Sequence, residues 1–246
     1  MPLVTKRSPK IRFEFVATQR QSTLGGLPAL EALAQQFDLW KKIRALPGLD
    51  PRTRTTHGYS PELIVAQLLY SFCSGGASLA DAERLNDEPL VRQLARLQKF
   101  ADQTQLGEWL RQQNDTSIPA LWQLIAEFVQ WVIARADAAR WTFAGRAEVF
   151  FDDTQIEVFG PSFEGAKINY NGDLALSWPT FWLGPFLVGG ERGAPGDVSG
   201  ARPALLQTHR PLWRERACDF LADSGSSRAE YLQALEQAGF THWSVS

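Results

Sequence analysis

The hydrophobic pattern changes character once along the chain, near residue 145. From Gly26 to about Arg140, apolar residues recur three or four positions apart, the spacing of amphipathic helices. The segments PALEALAQQFDLWKKIRAL, SPELIVAQLLYSFCSGG, SLADAERLNDEPLVRQLARL, DQTQLGEWLRQQ and IPALWQLIAEFVQWVIARADAAR each read this way. Local signals agree. Ser60, Pro61 and Glu62 offer a cap, a proline at the first helical position and an early acid, with Gly75 and Gly76 as the exit, while Ser78 and Asp81 have the capping-box spacing. This predicts an accessory helical domain over 26–144, preceded by a basic arm over 1–25, and identifies no chemistry.

Beyond Gly145 the pattern is β-like. AEVFFDDTQIEVFG predicts a strand, AKINYNGD a second strand closing on an Asn-Gly turn, and LSWPTFWLGPFLVGG a third apolar stretch interrupted by Pro179 and Pro185. After the loop-like ERGAPGDVSGARP, a helix is expected over ARPALLQTHRPLW. RACDFLADSG predicts a short strand ending in a carboxylate and a glycine turn, SSRAEYLQALEQAG an amphipathic helix leaving at Gly239, and THWSVS the start of another strand. Strands alternating with helices predict an α/β domain over 145–246. Because the chain stops inside that alternation, it is expected to be a truncated or fragmentary reading frame.

The anomaly is Asp152 and Asp153 inside an otherwise apolar strand. On a strand, Asp152 shares its face with Phe150 and Ile156, and Asp153 shares the other with Phe151 and Gln155. If the strand is central, an unpaired carboxylate there is costly, and a metal removes the cost. If it lies at an edge, the acids simply face water and discourage edge pairing. Asp223 ends a later strand and also has two readings, as a second metal ligand or as the cap of the following helix. Neighbouring strands of a sheet can bring Asp152 and Asp223 together, and paired carboxylates without a thiol or imidazole cluster favour Mg²⁺ or Mn²⁺ over zinc.

Composition sets bounds on these readings. With 246 residues, 44% hydrophobic, nine Trp and fifteen Phe, the chain can bury a sizeable core. No apolar run of about 18 residues predicts a membrane span, and Cys73 and Cys218 make no disulfide framework, so a cytoplasmic setting is expected. A net charge of -2 gives no global case for nucleic acid. Local basic groups are nevertheless candidate phosphate contacts: Lys6, Arg7, Lys10 and Arg12 in the opening arm, and Arg52 and Arg54 in DPRTRTTHGY. Lys41, Lys42 and Arg44 read better as a solvated helix face.

Taken as an ordered set, FFDDTQIEVFG, EGAKINYNG, GGERG and DFLADSGSSRAEYLQALEQAGFTHWSVS resemble the first part of the catalytic domain of DDE transposases, closest to the IS1380 group within the IS4-like class. The helical half, through LPALEALAQQFDLWKKI, RTRTTHGYSPELIVAQLLYSFCSGGASLADAERLNDEPLVRQL and DQTQLGEWLR, resembles the same group. The resemblance implies a partial RNase H-like core behind a helical domain, and metal-dependent DNA cleavage and strand transfer at insertion-sequence ends. Its implied partners are double-stranded DNA at transposon ends and further copies of the chain in a synaptic complex, in a nucleoid-associated setting. It maps the first catalytic aspartate to Asp152, with Asp153 as the alternative, and the second to Asp223, both as ligands of Mg²⁺ or Mn²⁺. Phe150 stands where the group usually has a supporting acid. The group's catalytic glutamate lies well downstream of the second aspartate, and neither Glu230 nor Glu236 matches its motif. Activity in this chain is therefore a separate question from family, with an inactive DNA-binding or self-association remnant and an RNase H-like nuclease without strand transfer as the rival readings.

Overall fold

A computed structural model describes residues 24–54, 58–160, 162–190, 206, 209–213, 216–222 and 229–245. Its contacts divide the chain into two units, Met1–Leu121 and Trp122–Ser246.

The first unit is helical: α1 Leu27–Gln36, α2 Leu39–Arg44, α3 Pro61–Cys73, α4 Leu79–Arg84, α5 Pro89–Ala95 and α6 Gln103–Arg111, with α7 Ser117–Ile133 beginning in this unit and running into the second. Two long periodic segments are each broken once. Asp38 takes a left-handed backbone (φ 57°) between α1 and α2, a conformation that a short polar side chain tolerates. A 3-10 turn, Leu85–Asp87, separates α4 from α5. Ser78 and Asp81 form the expected capping box, whereas Ser60 opens α3 without a side-chain cap bond.

Leu27, Ala66, Tyr70, Leu85, Val91 and Phe100 make the apolar centre of this unit. Two buried polar groups tie its helices together. Gln67, 1% exposed, donates to the carbonyls of Ala82 and Ala101 and accepts the Ala101 N–H, so its amide is satisfied on both sides. Glu31 accepts from the Tyr70 hydroxyl at 2.5 Å, from Trp40 Nε1 at 3.0 Å and from Gln35 at 2.8 Å. Burial and the adjacent Glu31 carboxylate hold the Tyr70 hydroxyl far above its ordinary pKa, so it remains the donor.

The second unit is a mixed α/β domain. Its strands are β1 Ala147–Glu157, β2 Lys167–Ile168, β3 Leu174–Leu183, β4 Phe186–Gly190, β5 Cys218–Ala222 and β6 Trp243–Val245. They form one sheet in the order β2-β3-β1-β5-β6, with β4 also paired to β3. β1 is antiparallel to β3 on one side and parallel to β5 on the other, and β5 is parallel to β6. A parallel pair needs a crossover, and β5 reaches β6 through α8, Ala229–Ala238, which leaves at Gly239 as the sequence predicts. Residues 209–213 are helical as well.

β3 runs unbroken through Pro179, against the expectation of an interruption there; Pro185 does lie in the turn to β4. The reason is positional. Pro179 falls between the stretch of β3 paired with β2 and the stretch paired with β4, where β1 is the one strand neighbour among the described residues, so its missing N–H costs no ladder bond there.

One face of the sheet carries the core. Val149 and Phe151 of β1, Phe181 and Leu183 of β3 and Phe220 of β5 pack on Val129 and Ile133 of α7, on Leu212 and Trp213, and on Tyr231 and Leu235 of α8. The aromatic rings interlock, with Phe151 and Phe181 centred 4.7 Å apart and Phe220 and Phe240 5.2 Å apart. His209 is 7% exposed against β4, where a Cβ on Gly189 would collide with its Nε2, so glycine is required there.

Two stability effects follow from these buried polar groups. Tyr70→Phe removes a donor from a buried carboxylate and is expected to cost about 2 kcal/mol in the helical unit, read by denaturant unfolding; a change below about 0.5 kcal/mol would contradict the role assigned to the hydroxyl. Burial lowers the pKa of His209 from its ordinary 6.5. Below that value the unfolded chain takes up a proton that the folded chain refuses, so stability falls as pH drops through about 6.5 and towards the lower folded pKa. His209→Gln is expected to flatten that slope in thermal unfolding between pH 7 and pH 5.

Candidate active site

β1 is the central strand of the sheet. Its parallel register with β5 runs from Ala147↔Cys218 to Phe151↔Ala222, while its pairing with β3 continues to Glu157↔Ala175. Asp152 is thus the first residue of β1 with a strand neighbour on one side only among the described residues. Asp223 lies outside the described residues. It is joined by one peptide bond to Ala222, the strand partner of Phe151, and Phe151 is joined by one peptide bond to Asp152.

The two adjacent carboxylates have different surroundings. Asp152 is exposed and accepts the Asp153 backbone N–H on Oδ1 at 2.9 Å. Asp153 is half-buried and accepts the hydroxyl of Ser177, which is 2% exposed. Alternation along the strand therefore separates a solvent-facing acid from one held in the cross-strand contacts of β1 and β3.

Asp152 lines an open depression of about 490 Å³ with Phe150, Trp182, Leu221 and Ala222, and among the described residues it is the one titratable group on that wall. The Trp182 indole N–H donates to Thr180 Oγ1 at 3.1 Å, and that hydroxyl donates to the Asp152 carbonyl at 3.3 Å, which fixes the ring beside the acid. Among the described residues no group of three His, Cys, Asp or Glu side chains is placed to hold a metal ion. The part of the arrangement seen is a single exposed carboxylate at the carboxyl end of a parallel strand pair, where α/β sheets bind ligands.

The basic candidates are distributed differently. Lys6, Arg7, Lys10 and Arg12 lie outside the described residues. Arg52 grips Asp50 with Nε and Nη2, each at 2.8 Å, and this pair lowers the Asp50 pKa and raises that of Arg52. Arg54 is exposed.

Sequence reasoning missed a charged group at the opposite end of the parallel pair. Arg146 Nε donates to both Asp219 oxygens, at 2.8 and 2.9 Å, and its Nη2 donates to the Cys218 carbonyl at 3.0 Å and lies 3.2 Å from His242 Nδ1. Hydrogen bonding to Arg146 holds the Asp219 carboxyl below its ordinary range, while burial pushes the Cys218 thiol up to about 11. No spacing signal could have found this set, because its members meet only through the registers of β1, β5 and β6.

No family model and no curated protein matches the sequence. Among solved structures, the chain is similar to the Mos1 transposase paired-end complex with left transposon end, at 15% identity and a TM-score of 0.28, over 80% of this chain and 62% of that one. It is also similar to the Mos1 mariner paired end complex with Mn, at 15% identity and a TM-score of 0.27, over 92% of this chain and 68% of that one. The chain therefore spans less than two thirds of the first of these structures. Among the described residues no helix is long and apolar enough to cross a membrane.

The contrast between the two aspartates has a direct readout. Asp152→Asn is expected to leave the unfolding midpoint within about 2 °C, as surface substitutions do, whereas Asp153→Asn weakens the bond to buried Ser177 and is expected to lower it by about 3–6 °C. Equal shifts in a thermal melt would overturn the division of labour.

Proposed function

We propose that the chain is a DDE transposase, closest to the IS1380 group of the IS4-like class, acting by metal-dependent cleavage and strand transfer on double-stranded DNA at insertion-sequence ends. In this reading the second unit is a partial RNase H-like core, Asp152 and Asp223 are its first two metal ligands, and copies of the chain meet on DNA in a synaptic complex within the nucleoid. The observation that carries it is the position of Asp152: exposed, on the central strand, one residue past the pairing of Phe151 with Ala222, the residue that leads into Asp223. The ordered motifs of the sequence, from FFDDTQIEVFG to DFLADSGSS, support the same reading.

The donor chemistry fits a hard cation. Asp152 has no cationic side-chain partner among the described residues, and the Asp153 amide that donates to it occupies a single oxygen. Paired carboxylate ligands suit Mg²⁺ or Mn²⁺. When bound, such ions stabilise charge on the attacking and leaving oxygens of a phosphodiester. The chain's own part is positional. Pairing with Thr180 of β3 fixes the Asp152 backbone one residue past the β5 ladder, and Ser177 holds Asp153 on the other face, so that a single acid of the pair faces the depression. Arg54 and the arm residues Lys6, Arg7, Lys10 and Arg12 are proposed to meet backbone phosphates; Arg52 serves this role only if its grip on Asp50 opens.

A cleavage and joining assay on duplexes carrying the element ends, with Mg²⁺ or Mn²⁺, tests the proposal. Asp152→Asn and Asp223→Asn are each expected to reduce product by at least about 100-fold, with Asp153→Asn far less affected. Full activity after both Asp152 and Asp223 are changed would sink the assignment. Duplex binding without metal-dependent chemistry in the unaltered chain would reject the enzyme reading in favour of a binding role.

A further inference from the structure

The end of the sheet remote from Asp152 holds a second polar cavity, of about 240 Å³, whose wall includes Arg146, Arg210, Arg216 and Thr241. We infer that it is a binding site for a phosphate-type oxyanion, separate from the Asp152 depression and independent of the transposase reading. Asp152 lies six residues along the chain from Arg146, about 20 Å at roughly 3.3 Å per residue, so one phosphate cannot occupy both places.

The three guanidiniums are not equivalent. Arg146 is anchored, with Nε on Asp219 and Nη2 shared among Asp219, the Cys218 carbonyl and His242. Arg216 donates Nε to the Leu212 carbonyl at 3.2 Å and lies over the Trp141 ring, 5.7 Å from its centre, which sets the direction of the guanidinium while its terminal nitrogens make no further bond among the described residues. Arg210 is exposed. Neither Arg210 nor Arg216 has an acidic partner within 4.0 Å among the described residues.

The charge balance decides the sign of the ligand. Among the described residues, three guanidiniums stand against the Asp219 carboxylate and the helix end at Ala238, worth about half a negative charge. About one and a half positive charges are left over. Guanidinium forks match phosphate oxygens in geometry. The cavity is smaller than ordinary small-molecule pockets, which suits an inorganic phosphate or one backbone phosphodiester better than a whole nucleotide. Free pyrophosphate and the backbone of a nucleic acid present the same chemistry.

The test uses the full chain, with inorganic pyrophosphate and a 20-base-pair duplex as separate probes. Arg210→Gln with Arg216→Gln is expected to weaken one or both by at least 10-fold, while Arg140→Gln, away from the cavity, changes neither by more than 2-fold. A loss of pyrophosphate binding alone identifies a small phosphate as the ligand. Weakened duplex binding, with a salt-dependence slope shallower by about 0.9 for each phosphate no longer neutralised, identifies a backbone phosphate. A readout on the unaltered chain guards against misfolding of the double variant: either probe should slow phenylglyoxal modification of Arg210 and Arg216, but not of Arg140, in a mass-spectrometric time course. Binding unchanged in the double variant, no binding of either probe by the unaltered chain, or modification of Arg210 and Arg216 at undiminished rate would overturn the inference.

Discussion

The parallel pairing of β1 with β5 is the constraint on which the second unit depends. A parallel ladder forms only when a crossover returns the chain in the same direction, so its register is set by long-range packing rather than by any turn. Here the packing is aromatic. Phe151 and Phe220, on neighbouring strands, both pack against Tyr231 of α8, with ring centres 6.1 and 6.0 Å away. A slip of one residue would turn these rings to the opposite face and bring Asp152 inward.

The same register gives the two ends of the strand pair different chemistry. At the amino end, Arg146 and Asp219 join the two strands by a forked ion pair, and further arginines gather around a small cavity. At the carboxyl end, an exposed carboxylate sits beside half-buried apolar residues on the wall of an open depression. A cationic pocket and an anionic one thus lie at opposite ends of one ladder, with the aromatic core on one face between them. In the helical unit, polar chemistry is turned inward instead. Glu31 and Gln67 are buried and satisfied, and their bonds join α1 to α3 and α3 to α4.

Much of the helical unit was legible locally. The capping box at Ser78 and Asp81 depends on residues three apart, and α6 repeats the device with Asp102 and Gln105. The break at Asp38 was not legible, because apolar periodicity continues across it and only the packing of Phe37 and Ile43, both buried, selects a left-handed residue there. Pro179 misled for a related reason. A proline interrupts a strand only where its N–H is needed, and that depends on which side of β3 is left without a neighbour.

The sequence by itself determined the element types, the change from helix to strand near residue 145 and the presence of acids inside an apolar strand, because all of these rest on spacings of a few residues. It also carried the ordered motifs behind the functional proposal. The tertiary structure decided that β1 is central, that Asp153 is engaged with Ser177 while Asp152 faces outward, and that Arg146 meets Asp219 and His242. Each of these is a contact between segments distant in the chain, and alternation along a strand says only that two neighbours face opposite ways. Which face is covered is settled by the helices that pack on it.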